Sequence, residues 1–157
     1  MENLKKLKRR ALVIFSVSTC LAWLGIRWGN KHTRPSHLFR TDQLQGCPNS
    51  PNCVSTSSAH PSSRIEPIPF EGTVTEARQK LELIIRNMPG SRIVHTDERY
   101  IHAEYRSRVL GFIDDLEVLI DEGQQQIFLR SASRIGYSDF GANRKRTEEL
   151  RRLYAEL

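Results

Sequence analysis

Sixteen consecutive residues, Ala11 to Ile26 (ALVIFSVSTCLAWLGI), carry no charge and no proline, and Lys5, Lys6, Lys8, Arg9 and Arg10 stand just before them. A helix of this run covers roughly 24 Å, or roughly 27 Å if Arg27 snorkels and Trp28 sits at the interface, which is short for a bilayer core of about 30 Å but tolerable with local thinning. The same arrangement fits a secretory signal. However, Leu24-Gly25-Ile26-Arg27-Trp28-Gly29 offers no small-x-small cleavage site, so the expectation is an uncleaved signal anchor. By the positive-inside rule the basic tip stays cytoplasmic and the rest of the chain crosses to the exported, periplasmic or lumenal side. The run has two other readings. Val17-Ser18-Thr19-Cys20 resembles a lipoprotein signal, but Thr19 is a poor residue before a lipidated cysteine and Leu21 to Ile26 continues apolar. A buried helix of a soluble protein would have no use for the basic flank.

The anchor also explains the charge. The formal net charge is +6, yet residues 1–40 hold nine Lys/Arg against Glu2 alone, a local +8, and the remainder is slightly acidic. The globular part therefore lacks the basic field of a nucleic-acid binder. The expected organisation is a cytoplasmic tip and signal anchor over 1–28, a polar linker over 29–46, and one exported domain over 47–157.

Within that domain Thr73-Val74-Thr75-Glu76 is a capping box. Val74, Ala77, Leu81, Ile84, Ile85 and Met88 then step by three or four, and Pro89-Gly90 ends the helix. Four strand candidates follow, at 92–96, 100–106, 112–120 and 126–133, joined by connections short enough to force antiparallel neighbours. A last helix over 143–155 places Leu150, Leu153, Tyr154 and Leu157 on one side. The fold expected is α+β: a four-stranded antiparallel meander with two helices on one face, preceded by the membrane helix. The opposite face should be partly solvated, because Ile101, Ala103 and Tyr105 alternate with His102, Glu104 and Arg106, and Leu116, Val118 and Ile120 with Asp115 and Glu117.

Three places offer chemistry. Cys47-Pro48-Asn49-Ser50-Pro51-Asn52-Cys53 can close as a disulfide in an oxidising compartment; a redox-active pair or free thiols are the alternatives, and no metal-site spacing is present. In Gln126 to Arg144, Arg130 and Arg134 share one strand face while Ser131 and Ser133 share the other, and Tyr137, Ser138, Asp139, Asn143 and Arg144 follow at the helix start. Two guanidiniums, hydroxyls and open N–H groups can hold a phosphate, sulfate or carboxylate. Equally, Asp139 or Asn143 can cap the helix and the arginines can pair with Glu104, Asp115 or Glu117. Asp114-Asp115 is an acidic pair whose members point to opposite faces of a strand. His60, His95 and His102 come with no nucleophile elbow.

The CPNSPNCV segment (47–54), Leu110-Gly111-Phe112-Ile113-Asp114-Asp115, and Arg130-Ser131-Ala132-Ser133-Arg134-Ile135-Gly136-Tyr137-Ser138-Asp139 with Gly141 and Asn143-Arg144 together resemble family 1499 of the domains of unknown function, over about Gly46 to Arg152. The resemblance implies a small exported or membrane-associated domain of bacteria, with relatives in photosynthetic organelles, and no reaction. The functional expectation is a membrane-tethered, non-catalytic module without a cofactor, which binds a small anionic ligand or an envelope protein partner. Its rivals are an envelope hydrolase using Asp114, Asp139 and His102 near the same arginines, and a purely structural envelope protein.

Overall fold

A computed structural model describes residues 2–32, 38, 43–108 and 110–157. Half of the expected linker, 33–37 and 39–42, lies outside the described residues. Helix α1 (Glu2–His32) runs past the expected end of the anchor, through Trp28 and Gly29. Its segment Lys6–Ile26 is long and apolar enough to cross a membrane, and at about 1.5 Å per residue it covers roughly 31 Å.

Helix α2 (Val74–Asn87) begins where the capping box places it: Thr73 Oγ1 accepts from the Glu76 N–H, and Glu76 Oε2 accepts from the Thr73 N–H. Val74, Ala77, Leu81, Ile84 and Ile85 are its buried stripe. Gly90 ends the following turn at φ +77°, and a Cβ there would stand 2.8 Å from the Arg106 carbonyl oxygen, so the close return of the chain to the sheet requires glycine.

The sheet has six strands rather than four. The expected meander is present as β3 (Ser91–Thr96), β4 (Tyr100–Arg106), β5 (Ile113–Asp121) and β6 (Gln126–Ser133). Two short strands, β1 (Cys53–Ser55) and β2 (Ile68–Pro69), add to the outer edge of β6, both antiparallel. They are three and two residues long and sit in a Pro/Ser/Asn-rich stretch, where no alternation can mark a strand; an outer strand also tolerates Pro69. Helix α3 (Ala142–Glu156) buries Asn143, Thr147, Leu150 and Tyr154, so its inward stripe starts polar and Leu157 is left exposed.

Both α2 and α3 cover one face of the sheet, where Leu81, Ile85, Ile101, Leu116, Ile120, Leu129 and Leu150 form the core. The other face is solvated along β3 and at Arg106, as expected, but its centre is buried. His102, Asp115 and Glu117 are at most 2% exposed and Arg130 is 5% exposed. Leu44 packs there against Tyr100, Leu119 and Phe128, and the Gly46 carbonyl lies beside Arg130. At the centre of this face Asp115, Glu117 and Arg130 are thus buried groups that compensate one another, while Arg106 at the end of β4 stays exposed.

Candidate functional site

The register explains the compensation. Across β4, β5 and β6, His102 stands opposite Glu117 and Glu117 opposite Arg130, while Glu104 stands opposite Asp115. Arg130 Nη1 donates to Glu117 Oε2 at 3.1 Å, and the Tyr100 hydroxyl donates to Glu117 Oε1 at 2.9 Å. Arg134 grips Asp115 with Nε and Nη2 at 2.8 and 2.7 Å and also donates to Glu104 Oε1 at 2.6 Å. His102 Nε2 lies 2.7 Å from Asp115 Oδ1. Burial works against the charged form of Asp115, but the bonds from Arg134 and His102 outweigh it and hold the carboxyl below the usual carboxylate range. The same balance, with Arg134 and Arg92 as donors, lowers Glu104. Arg134 is raised, because its hydrogen bonds to these carboxylates outweigh desolvation.

A second polar cluster lies on the helix side of the sheet, at the start of α3. Asn143, fully buried, accepts from Ser131 Oγ and from Arg146 Nη1 at its Oδ1, each at 2.6 Å. Its Nδ2 donates to the Asn52 carbonyl and to Asp139 Oδ2, at 3.0 and 2.7 Å. Asp139 caps the helix from outside, accepting the N–H groups of Gly141 and Asn143. Arg146 goes on to Asp114 Oδ2 at 2.7 Å, and Ser133 Oγ donates to Asp114 Oδ1. The Arg146 guanidinium also stacks over the Tyr105 ring, whose phenol burial pushes up to about 12 although the arginine's charge lowers it.

The third place is a cleft of about 470 Å³ between the Cys47–Cys53 loop, the His60–Ser63 turn and the start of α3. Cys47 and Cys53 form a disulfide with Cα atoms 5.6 Å apart, and Cys20 is free. The loop delivers Asn52 to the sheet: its carbonyl accepts the Ser133 N–H and its Nδ2 donates to the Gly136 carbonyl. Arg144 projects along the cleft and donates to the Ser62 carbonyl at 2.8 Å.

The residues singled out in the sequence therefore divide. Arg130, Arg134 and Asp115 belong to the buried ion pairs, and Asp114 to the opposite face, as its adjacency to Asp115 requires. Asp139 and Asn143 cap and fasten α3. Asp139 and Arg144 line the cleft, while Tyr137 and Ser138 sit on the exposed loop before α3, with the Ser138 hydroxyl accepting the Phe140 N–H. The two strand arginines and the helix start do not converge on one concavity. Sequence reasoning missed Asn52, Arg146 and His60 as members of these clusters. Asn52 lay in plain view inside the cysteine motif, and Arg146 in the basic run opening α3. Among the described residues, no group of three His, Cys, Asp or Glu is placed to hold a metal ion.

Comparison with curated proteins and with solved structures finds no match. A family model does match, over residues 43–153, covering the disulfide loop, the whole sheet, α2 and most of α3. The chain belongs to the family described as Protein of unknown function (DUF1499).

Proposed function

We propose that this protein is a membrane-anchored, exported, non-catalytic binding module, and that its ligand is a small anion or carboxylate-bearing molecule seated in the cleft beside the disulfide. The carrying observation is the contrast between the arginines. Arg130 and Arg134 are buried and neutralised by Glu117, Asp115 and Glu104, whereas Arg144 reaches the cleft with, among the described residues, only the backbone carbonyls of Ser62 and Arg64 as its hydrogen-bond acceptors. A guanidinium left with spare donors beside an exposed His60 and the Ser50 and Ser62 edges of the cleft suits a carboxylate or phosphate.

The hydrolase alternative is weakened by the same contacts, since Asp114 is engaged by Arg146 and Ser133, and Asp115 by Arg134 and His102 on the far face. Such groups face one another across the sheet and not a substrate. The anchor reading rests on the apolar segment of α1 with its basic flank, and the exported side on the positive-inside rule together with the disulfide, which favours an oxidising compartment.

A thermal-shift screen of anionic metabolites on the full chain in detergent tests the ligand. A ligand that binds only the folded state must stabilise it. A shift present in the wild type, reduced in Arg144→Lys and absent in Arg144→Gln, is the expected result. No shift with any compound removes the site and leaves a structural envelope protein.

A further inference from the structure

The end of the sheet nearest α1 carries a patch that the fold itself does not use. Arg106 at the end of β4 pairs with Ile113 at the start of β5, and the Arg134 N–H donates to the Ile113 carbonyl at 3.0 Å. The connections 107–112 and 134–141 consequently leave the sheet at the same end. Leu110 on the first is 47% exposed, and Tyr137 and Phe140 on the second are 76% and 93% exposed. Arg106 and Arg108 beside Leu110 are exposed as well.

Phe140 is held in this position. Its backbone has φ +54°, a conformation that bulky side chains rarely adopt, and Gly141 follows at φ +80°. Ser138 Oγ accepts the Phe140 N–H, and Asp139 Oδ1 the Gly141 N–H. The turn is thus fastened on both sides of an exposed ring. Strain of this kind persists where the surroundings enforce it and points to a use for the displayed side chain.

The position of α1 identifies the occupant. Gly29 is buried, and a Cβ built there would touch Ile135 Cγ2 at 3.3 Å, so α1 meets the same 134–141 loop at Gly29. The membrane-crossing segment ends at Ile26, three residues before Gly29 and about 4.5 Å away along the helix. A loop touching α1 there lies at the level of the headgroups. Tyrosine favours that boundary, arginine is drawn to anionic headgroups, and a phenylalanine ring gains by entering the acyl region beneath.

We propose that Tyr137, Phe140 and Leu110, flanked by Arg106 and Arg108, dip into the leaflet from which α1 emerges, seating this end of the domain on an anionic lipid surface. The proposal rests on the reading of α1 as a membrane anchor. Apolar side chains would set the depth and the arginines the preference for anionic lipid.

Full-length chain in nanodiscs of mixed phosphatidylcholine and phosphatidylglycerol provides the test, with nitroxide labels whose accessibility to oxygen is compared with that to a nickel chelate. Labels are placed on native Cys20, on Phe140→Cys and on Glu122→Cys at the opposite end of the sheet, the latter two in a Cys20→Ser background. The expected oxygen preference is highest at 20, several-fold above the aqueous value at 140, and aqueous at 122. Arg106→Glu with Arg108→Glu should lower the value at 140 in the anionic discs and leave it unchanged in pure phosphatidylcholine. An aqueous label at 140 with 20 immersed overturns the proposal while the anchor stands, and assigns the patch to a protein partner. An aqueous label at 20 overturns the anchor and the proposal together.

Discussion

Arg134, the residue after β6, holds Asp115 of β5 by two bonds from one guanidinium, Nε at 2.8 Å and Nη2 at 2.7 Å. Both side chains are nearly inaccessible, at 5% and 1% exposure. Removing one member of such a pair leaves an uncompensated buried charge, a loss on the order of 3–5 kcal/mol. Arg134→Ala should therefore lower the urea midpoint sharply. Arg134→Lys keeps the charge but not the two-point geometry, and should fall between the variant and the wild type. Equal stability of all three would remove the pair from the forces holding the sheet.

Acid should act through the same carboxylates. Asp115 and Glu104 are both held below the usual carboxylate range in the folded chain. Between the folded and unfolded values the unfolded state binds more protons, so stability rises with pH there. Their contribution is complete above the unfolded values of about 4 and is lost as pH falls through the lower folded ones. Urea midpoints should be flat from about pH 7 to 5 and fall below about pH 4. In Arg134→Met the acid limb should be shallower. An identical slope in both proteins would place the acid sensitivity elsewhere.

Asn143 and Tyr137 should separate fold from surface. Asn143→Ala deletes a fully buried side chain that bonds Ser131, Arg146, Asp139 and the Asn52 carbonyl. Each buried partner left unmatched costs roughly 1–3 kcal/mol. Tyr137→Ala, at an exposed loop position, should change stability by no more than about 0.5 kcal/mol. Chemical denaturation of the two variants side by side reads the difference.

The disulfide closes a seven-residue loop from Cys47 to Cys53. Loop-closure entropy for that length is worth about 2.4 kcal/mol. Replacing both cysteines by Ser should cost about that much, and should also loosen the Asn52 contacts that the loop presents to β6 and α3, seen as faster amide exchange at Ser133 and Asn143. Non-reducing peptide mapping of protein from its native compartment should find 47 joined to 53 and Cys20 alkylated.

Topology has its own measurement. On the proposed topology, a reporter active only in the cytoplasm and fused after Leu157 should be silent, and one active only outside should be bright. The reverse pattern would invert the chain in the membrane.

Local signals in the sequence were strong wherever one face meets a core and one meets water. Thr73 and Glu76 fix the start of α2, and the alternation of Ile101, Ala103 and Tyr105 fixes the inner face of β4. The outer face was legible as polar but not as buried. Glu117 and Arg130 look the same in a periodic pattern whether water or each other neutralises them, and only the register of β5 against β6 tells which. The hint was present in the acids of β4 and β5 against Arg130 of β6 and Arg134 just beyond it. The candidate site was legible residue by residue and misleading as an assembly. Arg134 and Arg144 stand ten apart in sequence, but one belongs to a strand face and the other to a helix start, and a strand's two faces are separated by the thickness of the sheet.

Asn143 donates to the carbonyl of Asn52, 91 positions earlier, and Cys53 pairs with Ala132 in the sheet. The disulfide segment is made early but its binding partners are made last. A chain that crosses the membrane in the direction of synthesis would hold its cysteine loop on the far side with no edge strand to join and no helix to lean on until α3 has passed through. During that interval the two thiols are open to oxidants and to wrong partners, so correct closure depends on how quickly the C-terminal third arrives.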